Sequence, residues 1–222
     1  MPDEAIVCGE RPIEVWPEGQ RVSGRGADRT IVGTQFADFE AYHPRLIATI
    51  LELENDPEFA TEQGRAVGGQ KVYHLEKWGS PEADLVNARA VALFRHAQRC
   101  DEAVVDMSWA NVYRAGDYSM PHSHPRATAS VVYCLDPGDD DRADEWSGQL
   151  CFVDPRYSAC CQVEKGYMTN PITPRLGAGA MVIFPSKLVH CVNPYRGERP
   201  RITLAWNINT SAVSGSPLNV LD

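Results

Sequence analysis

The sequence predicts an α+β chain in which N-terminal helices support a β-sandwich or jelly roll. Three observations predict it. The apolar pattern changes period near residue 103, two amphipathic helical stretches precede that point, and five short β-rich runs follow it. A length of 222 residues suits one domain over 1–222. It is read as a mainly helical support over about 1–102, a β core over about 103–210 and a tail over 211–222.

The first helix is expected over 39–55, after a Gly- and Arg-rich stretch at 19–33. Pro44 suits a first helical turn, and Leu46, Ile47, Ile50, Leu51 and Glu54 follow at amphipathic spacing. The second helix is better marked. Ser80 can cap it, Pro81 fits its first turn, and Leu85, Val86, Leu93, Phe94 and Ala97 make an apolar stripe up to about Cys100.

The strands are expected over 103–113, 128–135, 149–154, 180–185 and 201–209, with Gly, Pro, Asn and Asp clusters between them. The last strand is the most informative. Ile202, Leu204, Trp206 and Ile208 share one face, and Arg201, Thr203, Ala205 and Asn207 share the other. An apolar face on helices and a small polar face toward a cavity suit a sandwich with an internal site.

Composition narrows the function. With 21 Lys and Arg against 30 Asp and Glu, the net charge is −9, which argues against nucleic acid or an anionic membrane as partner. The opening Met-Pro-Asp-Glu-Ala shows no basic region followed by an apolar one, and no apolar run approaches a bilayer span. The seven cysteines show no CxxC pair and read as reduced thiols, so a cytoplasmic location is expected. The vicinal Cys160-Cys161 pair reads as a loop feature.

Three histidines carry the chemistry. Residues two apart on an extended chain project to one side, so His122 and His124 can present both imidazoles to one point. His190, at the edge of a late strand, can complete one face of a coordination sphere and leave positions open for ligands. That layout suits non-haem iron oxygenases and also a catalytic zinc. An isolated His-x-His is more often a polar strand edge; the ordered set with His190 and a strand-borne Arg favours a metal. Arg201 opens the final strand on its polar face, where a buried guanidinium calls for an anionic ligand gripped through its fork. Arg199 reads instead as a loop charge in a salt bridge. Asp117 and Asp154 could supply a carboxylate but read as turn residues. Asn111, Tyr113, Tyr133 and Asn207 are expected on or beside strands that face the cavity. There they either hydrogen-bond a ligand or, for the tyrosines, pack in the core with the hydroxyl at the rim. The acidic run 139–145 reads as a solvated hairpin tip rather than a lid.

Ordered blocks of the second half carry a resemblance. They are Ser108-Trp109-Ala110-Asn111-Val112-Tyr113-Arg114-Ala115-Gly116-Asp117-Tyr118, His122-Ser123-His124-Pro125, Ser130-Val131-Val132-Tyr133 and Gly148-Gln149-Leu150-Cys151-Phe152-Val153-Asp154-Pro155. Gly179-Ala180-Met181-Val182-Ile183-Phe184-Pro185, His190 and Gly197-Glu198-Arg199-Pro200-Arg201-Ile202-Thr203 follow. Over roughly 104–209 the chain resembles the iron(II)/2-oxoglutarate-dependent dioxygenases, in particular a bacterial branch of 2OG-Fe(II) oxygenases and, more distantly, the prolyl hydroxylases. The resemblance implies a double-stranded β-helix, iron(II) held by a His-x-Asp/Glu…His triad, 2-oxoglutarate as cosubstrate with its distal carboxylate on a late-strand basic residue, and dioxygen as oxidant.

Carried over, the metal ligands and catalytic residues are His122, His124 and His190, and the cosubstrate residues are Arg201, Thr203, Tyr133 and Asn111. His124 stands where most of the superfamily has Asp or Glu, so three neutral imidazoles leave the metal its full charge for an oxoacid dianion to balance. The expected activity is hydroxylation of a small-molecule or peptide substrate, and a homodimer is compatible with the sequence. Two other readings stay open: a cupin-like module that binds metal and carboxylate without turnover, and a three-His dioxygenase that does not use 2-oxoglutarate.

Overall fold

The structure, a computed structural model, describes residues 4–25, 31–62, 66–139, 146–152 and 173–211. In chain order these form β1 (Ala5–Cys8), β2 (Arg11–Glu14), β3 (Val22–Arg25), β4 (Ile31–Gln35), α1 (His43–Leu53), β5 (Ala60–Glu62) and β6 (Gln70–Tyr73). There follow α2 (Pro81–Gln98), β7 (Val104–Tyr113), β8 (Ser119–His122), β9 (Ala129–Asp136), β10 (Leu150–Phe152), β11 (Ala180–Pro185), β12 (His190–Val192) and β13 (Arg201–Asn209).

Three layers result. An eight-stranded antiparallel sheet runs β3-β4-β11-β9-β13-β7-β6-β5, a three-stranded one runs β10-β12-β8, and β1 pairs β2 alone. The helices cover one face of the large sheet and the small sheet covers the other. This is the jelly roll expected from the second half, and the strands over 180–185 and 201–209 fall where the β-rich runs placed them.

The period-two rule assigns the faces. From β13, Ile202, Leu204, Trp206 and Ile208 enter the core against the helices, with Val131, Leu135, Met181 and Ile183 from neighbouring strands. Trp206 also donates its indole N–H to Asn87 Oδ1 on α2 at 3.0 Å. The opposite face carries Val182 and Phe184, which pack on Leu150 and Phe152 of the small sheet. All nine residues of β13 are buried, as a strand covered on both faces must be.

α2 starts as its sequence dictates. Ser80 Oγ accepts from the Ala83 N–H at 3.3 Å, Pro81 sits in the first turn, and Glu82 and Asp84 lie at the positive end of the helix dipole. α1 begins at His43 rather than residue 39. Pro44 has no N–H to extend a ladder backwards, so Phe39–Ala41 closes as a separate 3₁₀ turn. Leu46 and Ile50, one turn apart, are fully buried, each contributing about 1.5–3 kcal/mol.

A mainly helical support over 1–102 is corrected by the structure: among the described residues six strands accompany the two helices there. β4 extends the large sheet beyond β11, and β6 extends it beyond β7. These strands are three to five residues long and gain their stability from distant partners, so little of it is written locally. Arg89 of α2 ties this part down although it is fully buried. Its guanidinium reaches both Asp38 carboxylate oxygens at 2.9 and 2.6 Å, the Tyr42 hydroxyl at 2.9 Å and the Val15 and Glu14 carbonyls at 3.2 and 2.7 Å. With the charge paired and its donors used, burial is tolerated. The described cysteines Cys8, Cys100, Cys134, Cys151 and Cys191 are free thiols, as expected, while Cys160-Cys161 lies outside the described residues.

Candidate metal centre

The three histidines meet between the two sheets. His122 ends β8 and His190 opens β12, and the two are direct partners across that strand pair. His124 lies two residues beyond β8, its backbone N–H held by the Ser186 carbonyl at 2.7 Å. Ring centroids are 4.3 Å apart for His122 and His190, 5.0 Å for His122 and His124, and 5.3 Å for His124 and His190. One potential ligand atom from each lies within 4.8 Å of the others. Small rotamer adjustments close that span onto one cation at about 2.0–2.2 Å.

The chemistry of the donors fits a metal. The Nδ1 of His122 lies 2.7 Å from the Met120 carbonyl and that of His190 lies 2.9 Å from the Leu188 carbonyl. A carbonyl only accepts, so each Nδ1 carries the proton and each Nε2 keeps its lone pair for a ligand. Burial pushes the His190 pKa down to about 3; burial, then the nearby His122 and Lys71, push that of His124 to about 4. Both rings are therefore neutral near pH 7, the form that binds metal.

Arg201 faces the same cavity from β13. It is 6% exposed, its guanidinium lies 5.3 Å from the Tyr113 ring centroid, and its buried Nη1 has no hydrogen-bond partner among the described residues. Gly148, at φ +62°, lets the chain pass over it; a Cβ there would sit 2.8 Å from Arg201 Cδ. Tyr113 also lines the cavity, and burial raises its pKa to about 12, so its phenol keeps a proton to donate. Trp109 donates its indole N–H to Asn111 Oδ1 at 3.1 Å, and Asn111 Nδ2 donates to Thr203 Oγ1 at 3.4 Å. Val132, Leu150, Phe184 and Val192 form apolar walls.

The structure thus brings together His122, His124, His190, Arg201, Thr203, Asn111 and Tyr113. It does not bring Tyr133. Alternation along β9 puts Tyr133 with Val131 and Leu135 on the helix side of the sheet, where its hydroxyl lies 2.6 Å from both Tyr42 Oη and His43 Nε2. Placing Tyr133 beside the cosubstrate is therefore a correction: parity groups it with Val131 and Leu135, and the register of β9 turns that set to the helices. We expect Tyr133→Phe to leave 2-oxoglutarate affinity unchanged while costing about 1–3 kcal/mol of stability in denaturant titration.

Other candidates resolve by their partners. Asn207 Oδ1 accepts from Ser130 Oγ at 2.9 Å on the inner face. Asp117 Oδ2 accepts from the Arg114 N–H at 2.7 Å and organises its turn, while Asp154 lies outside the described residues. Arg199, 62% exposed, pairs with Asp139 at 2.9 Å and Asp136 at 3.5 Å, which leaves Arg201 as the inward guanidinium of the two. Asp139 also takes the backbone N–H groups of Glu198 and Arg199; the rest of the acidic run lies outside the described residues. The cavity residues missed from sequence are Lys71 and, as a cavity aromatic, Trp109. Lys71 comes from the short β6, which no local pattern announced.

A jelly roll in which three imidazoles converge beside a buried guanidinium with an Nη1 unpartnered among the described residues fits a class: non-haem metal sites that take an anionic ligand next to the metal. Residues 107–207, a little under half of the chain, match the family model described as "Putative 2OG-Fe(II) oxygenase". No curated protein matches the chain.

Solved structures are similar in fold. The non-haem α-ketoglutarate-dependent epimerase SnoN from nogalamycin biosynthesis is 15% identical, with a TM-score of 0.59 over 81% of this chain and 78% of that one. The viral collagen prolyl hydroxylase vCPH from Paramecium Bursaria Chlorella virus-1, solved as a 2OG complex, is 13% identical, with a TM-score of 0.54 over 81% and 95%. A Pseudomonas putida prolyl-4-hydroxylase is 18% identical, with a TM-score of 0.52 over 80% and 92%. The fold is the double-stranded β-helix of these structures, and the stretch 107–207 is similar to the 2OG-Fe(II) oxygenase family.

Proposed function

We propose that the protein oxidises an organic substrate at an iron(II) held by His122, His124 and His190, with 2-oxoglutarate anchored by Arg201. The observation that carries the cosubstrate assignment is the buried Arg201 Nη1, without a hydrogen-bond partner among the described residues, in the cavity that holds the triad. An unpaired buried charge costs several kcal/mol unless a ligand answers it, and a carboxylate does so through paired hydrogen bonds. When bound, iron(II) and 2-oxoglutarate supply the activation of dioxygen, one oxygen atom leaving in succinate as CO₂ is lost and the other going to the substrate.

The chain's own residues do the rest. The Met120 and Leu188 carbonyls hold two imidazoles in the ligating tautomer. Arg201 grips the distal carboxylate, and the protonated Tyr113 hydroxyl is placed to donate to the same group. Asn111 and Thr203 form the polar floor, and the apolar walls keep bulk water away. The substrate is a small molecule or a peptide, in a cytoplasmic enzyme. No helix among the described residues is long and apolar enough to cross a membrane.

His124 in place of a carboxylate favours a second reading, a three-His dioxygenase that takes no oxoacid. Titration of the manganese-loaded protein with 2-oxoglutarate separates the two. Saturable binding is expected, with 2-oxoglutarate-dependent succinate formation under air once iron replaces manganese. An absence of binding overturns the 2-oxoglutarate reading.

A further inference from the structure

We propose that Lys71 and Trp109 form a subsite for a carboxylate on the organic substrate. This rests on the function proposed above, because it treats the same cavity as holding metal and cosubstrate.

Lys71 sits on β6 directly opposite Asn111 of β7, and Thr203 of β13 faces Asn111 from the other side. Lys71 and Thr203 are therefore two strand spacings apart, roughly 10 Å, with Arg201 one further pair along β13. The two cations occupy different ends of one cavity. The Lys71 Nζ lies 5.5 Å from the Trp109 ring centroid, and Trp109 in turn lies 6.0 Å edge-on from the His124 ring. A group held at Lys71 would stand one aromatic ring away from the metal triad.

No carboxylate among the described residues answers this charge. Lys71 is half-buried and has no carboxylate partner among the described residues, and the described lining of the cavity contains no Asp or Glu. Among the described residues its partner is the face of Trp109. Burial holds the ammonium below its usual pKa, which marks an environment that resists the charge. A lysine needed only for solubility would extend into water.

Charge balance gives the class of ligand. An iron(II) on three neutral imidazoles keeps both its positive charges, and Arg201 adds another. The two carboxylates of 2-oxoglutarate leave part of this unanswered before Lys71 is counted. A neutral substrate would leave Lys71 desolvated and unpaired. A carboxylate answers the single charge of Lys71, while Trp109 offers a flat apolar face to the carbon chain.

The test uses the manganese-loaded full chain saturated with 2-oxoglutarate, titrated calorimetrically with matched probes: benzoate and benzamide, hexanoate and hexanamide. Wild type is expected to bind the acid of a pair at least about tenfold more tightly than its amide. Lys71→Met, and separately Lys71→Gln, should bring the two within about twofold while 2-oxoglutarate affinity stays unchanged. The proposal is overturned if no acid is preferred, or if the preference survives both substitutions. It is also overturned if Lys71→Met weakens 2-oxoglutarate about tenfold, which would assign Lys71 to the cosubstrate. Should wild type fail to bind 2-oxoglutarate, the functional reading above falls, and the same probes on the manganese-loaded protein alone still decide the role of Lys71.

Discussion

Replacing Arg201 with Met should weaken 2-oxoglutarate binding by about a hundredfold or more and at the same time leave the ligand-free protein as stable as before, or more so. Two effects of opposite sign meet at this residue. The guanidinium is buried with Nη1 unpartnered among the described residues, so its removal relieves a desolvated charge and replaces it with apolar volume. Substitutions of that kind are neutral or stabilising by about 1–4 kcal/mol. In the complex the same removal strands a carboxylate among apolar walls, which costs about 2–5 kcal/mol in binding. Calorimetric titration of the manganese-loaded variant and thermal melting of the ligand-free one read the two effects separately. A variant that melts far below wild type would show that Arg201 is a structural cation whose partner lies outside the described residues, and the cosubstrate role would fail.

His122→Ala and His190→Ala should each reduce bound metal from near-stoichiometric to less than about one-tenth after anaerobic reconstitution and dialysis. Succinate formation should fall by at least about a hundredfold, since loss of even an outer partner of a metal ligand costs 10–100-fold. His122 is the cleaner site because its ring is partly exposed and its loss opens no core cavity. His190 packs its ring 4.8 Å from that of Phe184, so His190→Ala also loses packing. Full metal content in His122→Ala, measured by atomic emission, would remove His122 from the coordination sphere and with it the three-imidazole centre.

His124 sets the electrostatic character of this cavity. A carboxylate in its position would cancel one charge of a bound metal; a neutral imidazole does not. The site then depends on its ligands for balance, and both the 2-oxoglutarate at Arg201 and the carboxylate inferred at Lys71 follow from that dependence. The described lining holds three histidines, an arginine and a lysine without an acidic residue.

The sequence by itself determined whatever depends on local period, turn chemistry and the order of residue types. Five runs of strand composition declared the jelly roll, and Ser80-Pro81 declared the start of α2. The alternation along 201–209 separated Ile202, Leu204, Trp206 and Ile208 from Arg201 and Thr203 because a strand turns successive side chains to opposite faces. His122, His124 and His190 were legible for the same reason: a dyad on extended chain and a strand-edge histidine are patterns that sequence preserves.

Only the tertiary structure decided which face of β9 met the cavity. The register of β9 against β13 and β11 turned Tyr133 toward Tyr42 and His43 instead. It also decided that β1 to β6 exist as strands, since three to five residues carry too little local preference without a distant edge to pair with. Lys71 entered the site by that route, through pairing of β6 with β7 across a stretch of chain containing α2. Local preferences are encoded within a few residues, whereas register and pairing are settled by the packing of parts far apart in sequence, and the cavity's second cation belongs to the latter.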